Sequence, residues 1–239
     1  MRAVAVIPVR LASTRLPRKA MLPIAGQPMI QRVYQAVCRS PLLADVVVAT
    51  DSAEIYDFCR ARDIHALLTS EQCRSGTDRV QEAAASLQAD VFVNVQGDEP
   101  LTRPEHIAAL LGTMADGVEV GTLKTPMSRE AARDPNIVKV VTGAGGRALY
   151  FSRLPVPFDR DGGRASYYKH LGFYAYRRAT LDRFVRWPES ELERTERLEQ
   201  LRFLENGVDL YVAATPFDTV GVDTEEDLKR VEEIVLHDR

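Results

Sequence analysis

Four cations crowd into residues 10–19 of this 239-residue chain: Arg10, Arg15, Arg18 and Lys19, with Ser13 and Thr14 between them. They follow a short apolar run, Ala3–Pro8, that reads as a buried strand. In α/β sheets ligands collect at the carboxyl ends of strands, so this loop would drape basic groups over such a site. Arginine offers a bidentate fork and lysine a point charge, a combination that suits a polyphosphate. The stretch IPVRLASTRLPRKAM (7–21) matches neither GxxxxGK[ST] nor GxGxxG, so both common phosphate-loop signatures are absent. The plainer alternative is a solvated basic loop.

Two acidic motifs could face it. In VQGDEP (95–100), a buried strand delivers Gln96, Asp98 and Glu99 to one edge, and Gly97 permits close backbone approach. A carboxylate there can hold Mg²⁺, which takes one or two carboxylates and completes its shell with substrate phosphates. A polar turn after a strand reads equally well. In GVDTEEDL (221–228), Asp223 or Thr224 can simply cap the helix that follows, with acidic residues favoured by its dipole. Only pairing with Asp98 would make Asp223 a metal ligand, and spacing alone does not reveal it. Ser75-Gly76-Thr77-Asp78-Arg79 can cradle a base or ribose, or merely start a helix. His170 in a strand can pack in the core, as can the Phe173–Tyr174–Tyr176 cluster. Glu199 and Gln200 sit in a leucine-rich helical stretch.

The rest of the composition narrows the field. Lys+Arg 31 against Asp+Glu 34 gives a net charge of −3, which argues against a general nucleic-acid binder. No apolar run approaches the roughly 18 residues that cross a bilayer. Cys38, Cys59 and Cys73 fit neither a zinc site nor a disulfide framework and read as free thiols of a cytoplasmic protein. No Ser/His/Asp arrangement or nucleophilic Cys motif supports covalent hydrolysis.

Alternating strands and helices must position these residues. Strands are expected at Ala3–Pro8, Asp45–Thr50 and Asp90–Val95, with helices over Pro28–Arg39, Ala53–Ala61, Thr77–Leu87 and Arg103–Met114. This βαβα order predicts an α/β fold, a mostly parallel, Rossmann-like sheet wrapped by helices. From about residue 118 the regularity loosens. A hairpin is expected from Val138–Thr142 and Ala148–Ser152, a mobile loop from Pro155 to Ala165, and a strand at His170–Tyr176. One long helix is expected over Glu189–Asn206, then a strand at Tyr211–Ala214 and a helix at Glu225–Leu236. Residues 1–239 read as a single domain with a smaller, mixed α+β subdomain at about 118–215.

With these motifs in order, the chain resembles the 3-deoxy-manno-octulosonate (Kdo) cytidylyltransferase family. The resemblance rests on IPVRLASTRLPRK, ATD (49–51), SGTDR, VQGDEP, ALYFSR (148–153), KHLGFYAY (169–176), LEQLR (198–202) and GVDTEEDL. It runs from residue 4 to about 233, and the series ALYFSR, HLGFYAY and LEQLR is specific to this family. The resemblance implies a fold of the nucleotide-diphospho-sugar transferase type. It implies that CTP and Kdo give CMP-Kdo and pyrophosphate with Mg²⁺, a product that feeds the lipopolysaccharide inner core. It also implies a homodimer.

Carried over by position, Arg10, Ser13, Arg15 and Lys19 would contact the triphosphate, with Arg10 and Lys19 neutralising charge during transfer. Ser75, Thr77 and Arg79 would hold the cytidine, and backbone groups near Pro8 and Val9 would help select cytosine. Gln96, Arg153, His170, Tyr174, Glu199 and Gln200 would line the sugar-acid pocket. Asp98 and Asp223 would hold magnesium. The chain departs from the family's usual RLPGKPL at two positions: Arg18 stands where glycine is usual and Ala20 where proline is usual. Lys19 is retained.

Overall fold

All seven residues of Ala3–Val9 are buried, and they form the strand β1 of a computed structural model that describes residues 1–12 and 15–237. Ser13, assigned above to the triphosphate, lies outside the described residues. After a 3₁₀ turn at Lys19–Met21, the short strands β2 (Pro23–Ile24) and β3 (Gln27–Pro28) form a small hairpin. The helix α1 (Met29–Cys38) follows, burying Met29, Ile30, Val33 and Val37 along one face. Then come β4 (Asp45–Thr50), α2 (Ala53–Arg60), β5 (Ala66–Leu68), α3 (Gly76–Ala85) and β6 (Val91–Asn94). The sheet order is β6–β1–β4–β5, and each pairing is parallel. Strands covered on both faces become near-continuous apolar runs, which is why DVVVAT and VFVN were legible.

The chain divides into two compact units: residues 1–107 with 219–239, and residues 108–218. α4 (Pro104–Leu111) carries the chain from the first to the second. The second unit holds β7 (Val120–Met127), β8 (Lys139–Thr142), β9 (Ala148–Ser152) and β10 (Tyr167–Arg177). It continues with α5 (Arg178–Phe184), α6 (Glu191–Glu196), α7 (Leu201–Glu205) and β11 (Leu210–Ala214). Its sheet is mixed: β10 is antiparallel to β7 and β8, β8 is antiparallel to β9, and β11 is parallel to β7. The last helix, α8 (Glu225–His237), belongs to the first unit.

The single helix expected over Glu189–Asn206 is two. Arg197 takes a left-handed conformation (φ 56°) and ends α6, and α7 starts four residues later. The carbonyls freed by the break have a partner. The Arg153 guanidinium donates to the carbonyls of Glu196 at 2.7 Å and Arg197 at 3.3 Å. The segment before β10, expected as a loop, has no strand or helix. It gathers around Asp159, whose carboxylate takes Arg129 and the amides of Gly162 and Arg164.

Candidate active site

The basic loop reaches both acidic motifs. Lys19 Nζ donates to Asp98 Oδ2 at 2.6 Å and to Asp223 Oδ1 at 3.1 Å, and Arg15 pairs with Asp223 Oδ2 at 3.1 Å. Burial works against the Lys19 ammonium, but the two carboxylates outweigh it and raise its pKa above the usual lysine value. Lys19 therefore stays charged across the physiological range.

Backbone docking explains how Asp98 and Asp223 meet. Val222 N–H donates to the Asp98 carbonyl at 2.9 Å, and the Thr219 hydroxyl donates to Glu99 Oε2 at 2.6 Å. Thr219–Val222 is thus a strap tied to the turn that carries Asp98. The capping question at α8 resolves in the same place. Thr224 Oγ1 accepts from Asp227 N–H at 3.2 Å, while Asp227 Oδ2 takes the amides of Asp223 and Thr224. This is a reciprocal cap by Thr224 and Asp227, and it leaves the Asp223 carboxylate free for Lys19 and Arg15.

These groups stand on a cleft of about 280 Å³. Pro8, Val9 and Arg10 line one wall at the end of β1, and Gln96 and Asp98 line another at the end of β6. Gly97 lets these walls approach, since a β-carbon on it would lie 3.1 Å from that of Val9. Ser75 and Arg79 complete the expected lining. Ser75 and Asp78 form a capping box that starts α3, so this motif begins a helix and also borders the cleft. Arg79 is buried beneath it, donating to Asp51 at 2.6 Å and Thr69 at 2.5 Å. Thr77 is buried and is not on the cleft wall.

Arg18 sits in the left-handed region (φ 56°), which accounts for the glycine usual at this position. Its guanidinium pairs with Glu54 of α2, a contact sequence reasoning could not supply because the partner lies on another element.

The remaining expected residues, Gln96 apart, lie in the second unit. His170 is buried, with Nε2 2.9 Å from Thr122 Oγ1. That hydroxyl donates to the Phe173 carbonyl at 2.8 Å, so it accepts the Nε2 proton. Tyr174 follows a register shift in β10, and its ring stands 5.5 Å from that of His170. Burial first, then Tyr176 and Glu199, push the Tyr174 hydroxyl well above its usual pKa, which places Glu199 within its electrostatic reach. Gln200 is buried at the start of α7. The guanidinium of Arg153 is taken up by backbone carbonyls. Its third donation goes to the Pro135 carbonyl at 3.0 Å, so its fork serves the backbone rather than a free carboxylate.

Burial lowers the His170 pKa from 6.5 to about 3. The unfolded chain protonates this ring below pH 6.5 and the native chain does not, so its contribution is intact above pH 6.5 and lost as pH falls toward 3. At pH 5 the loss is on the order of 2 kcal/mol. His170→Gln is expected to melt below wild type at pH 8, with the gap closing by several degrees at pH 5. A gap constant with pH, read by thermal melts, would mean that the ring is not held neutral.

Among the described residues, no group of three or more His, Cys, Asp or Glu side chains is placed to hold a metal. Two carboxylates already sharing one cation do fit an ion that takes its remaining ligands from water and substrate phosphate.

A parallel sheet whose strand ends carry a cationic loop against paired carboxylates defines a nucleotide-binding α/β protein. Residues 4–210 match the family model described as cytidylyltransferase. The chain belongs to the cytidylyltransferase family, among the 3-deoxy-manno-octulosonate cytidylyltransferases. It is 66% identical to the 3-deoxy-manno-octulosonate cytidylyltransferase of Koribacter versatilis, over 98% of this chain and 90% of the relative. It is 54% identical to that of Acidobacterium capsulatum, over 97% and 95%. A solved structure of CMP:2-keto-3-deoxy-manno-octonic acid synthetase complexed with CTP matches all of both chains, at TM-score 0.96 and 40% identity.

Proposed function

We propose that this protein transfers CMP from CTP to the anomeric hydroxyl of 3-deoxy-D-manno-octulosonate, releasing pyrophosphate. The observation that carries this reading is the Lys19 ammonium held between Asp98 and Asp223 at a cleft edged by Arg10 and Arg15. The cations match a triphosphate, and the carboxylates match the ion that accompanies one.

The chemistry is a direct in-line displacement at the α-phosphorus, in which positioning and charge stabilisation matter more than covalent catalysis. Arg10 and Arg15 would gather the triphosphate at the cleft mouth. Lys19 would follow the charge as it moves onto pyrophosphate, its proton secured by the two carboxylates. Asp98 and Asp223 would hold Mg²⁺, which supplies Lewis-acid polarisation of a phosphoryl oxygen. Backbone groups of Pro8 and Val9 and the Ser75 turn would select cytosine, and His170, Tyr174, Glu199 and Gln200 would serve the sugar acid. The buried, neutral His170 can exchange hydrogen bonds with hydroxyls without adding charge. We propose a homodimeric, cytoplasmic enzyme. No described helix is long and apolar enough to cross a membrane.

The test is pyrophosphate release with CTP, UTP and ATP against a panel of 2-keto-3-deoxy acids, with and without Mg²⁺. CTP with Kdo should give the highest kcat/KM. A preference for a sialic acid or an 8-amino Kdo analogue would reassign the acceptor. Absence of release with every pair would leave a nucleotide-binding protein without transferase activity.

A further inference from the structure

Gln96 stands just beyond β6 on the cleft wall, and two neighbours decide how its amide is presented. Asn94, 1% exposed, accepts from Gln96 Nε2 through Oδ1 at 3.1 Å. The other half of the Asn94 amide, Nδ2, is buried and has no hydrogen-bond partner among the described residues. An unsatisfied buried donor is costly, and an aliphatic side chain in β6 would avoid that cost. The return on an asparagine here is its hold on Gln96.

Gly76, the first residue of α3, stands against the same amide. A β-carbon built on it would lie 2.9 Å from Gln96 Nε2 and 3.1 Å from Oε1, and the third-nearest atom is Gln96 Cδ. Gly76 does not have a positive φ, so its backbone does not demand glycine. Alanine is the better helix former. The close neighbour that a methyl would displace is the Gln96 amide, a movable end of a side chain.

We infer that Gly76 and Asn94 are positioning residues for Gln96: together they commit its Nε2 inward and leave Oε1 as an acceptor for a substrate O–H or N–H donor. Oε1 accepts no hydrogen bond from a described residue. An acceptor repels carboxylate and phosphate oxygens and suits a hydroxyl of a polyhydroxy sugar acid, so the inference rests on the function proposed above. The ribose hydroxyls and exocyclic amine of cytidine carry the same donor chemistry, and the two substrates are separated kinetically.

The experiment compares full-length wild type with Gly76→Ala, Asn94→Leu, Gln96→Ala and the Gly76→Ala/Gln96→Ala double variant, reading melting temperature and KM for each substrate. Gly76→Ala and Asn94→Leu should melt at or above wild type. Each should raise KM for Kdo about tenfold, the scale of a lost hydrogen bond to a desolvated partner, with KM for CTP within about twofold. Adding Gly76→Ala to Gln96→Ala should change nothing more. Unchanged kinetics in Gly76→Ala, or an equal further loss in the double variant, would overturn the inference while the transferase reading stands. A rise confined to CTP would overturn the assignment to the sugar acid. An inactive wild type would overturn the proposed function, and this inference with it.

Discussion

Asp98→Asn and Asp223→Asn are each expected to cut turnover by at least about a hundredfold, because each would replace an anionic ligand of the proposed Mg²⁺ with a neutral one. Asp98→Asn should be the more severe. Asp98 makes the shorter contact to Lys19, 2.6 Å against 3.1 Å, and its side chain is the less exposed, at 30% against 45%. Neither change should unfold the protein, since Lys19 keeps one carboxylate partner in each variant. Steady-state pyrophosphate release across a Mg²⁺ titration, with melting curves alongside, checks both statements. Full turnover by Asp223→Asn at low Mg²⁺ would reduce Asp223 to an anchor for Lys19 and Arg15.

Lys19→Ala is expected to cost a similar factor, about a hundredfold in kcat/KM for CTP, and far less in KM for the sugar acid. Its removal leaves two carboxylates with no ammonium between them, in the path of a triphosphate. Arg18→Gly, one residue away, should stay within about threefold of wild type. It loses a surface ion pair worth roughly 0–1 kcal/mol and regains about as much by relieving a left-handed side-chain-bearing residue. Equal losses in the two variants would mean that the loop acts as a diffuse cationic patch. Initial rates against CTP at saturating acceptor decide between these outcomes.

The parallel sheet was legible because Ala3–Val9, Asp45–Thr50 and Val91–Asn94 are covered on both faces and their apolar content shows in the sequence. β7 escaped the same reading. Its VGTLKTPM carries Gly121, Lys124 and Pro126, which lower strand propensity. Gly121 is there for packing, since a β-carbon on it would meet Thr113 Oγ1 at 1.9 Å. The break at Arg197 has no signature in the leucine spacing, and the Arg153 guanidinium that takes up the freed carbonyls comes from the residue just after β9, more than 40 positions away. α5 was likewise missed. In the site, residue types and order were readable from the chain, but the meeting of Asp98 with Asp223 depends on the Thr219–Val222 strap, a long-range contact with no local signature. The release of Asp223 from helix capping had one: Asp227, three residues after Thr224, could have been read as the cap's second half.

That strap also sets when a nascent chain can become competent. Lys19 and Asp223 are separated by 204 positions in the sequence, and the strap follows the entire second unit in chain order. During synthesis β1, β4 and β6 can pair and the basic loop can meet Asp98, yet the second carboxylate does not exist until the intervening unit has been made and the chain has returned. A ribosome-bound fragment ending at residue 218 therefore presents phosphate-attracting cations without the full acidic counterpart. Such a fragment lacks one of the two carboxylates that the proposed chemistry calls on.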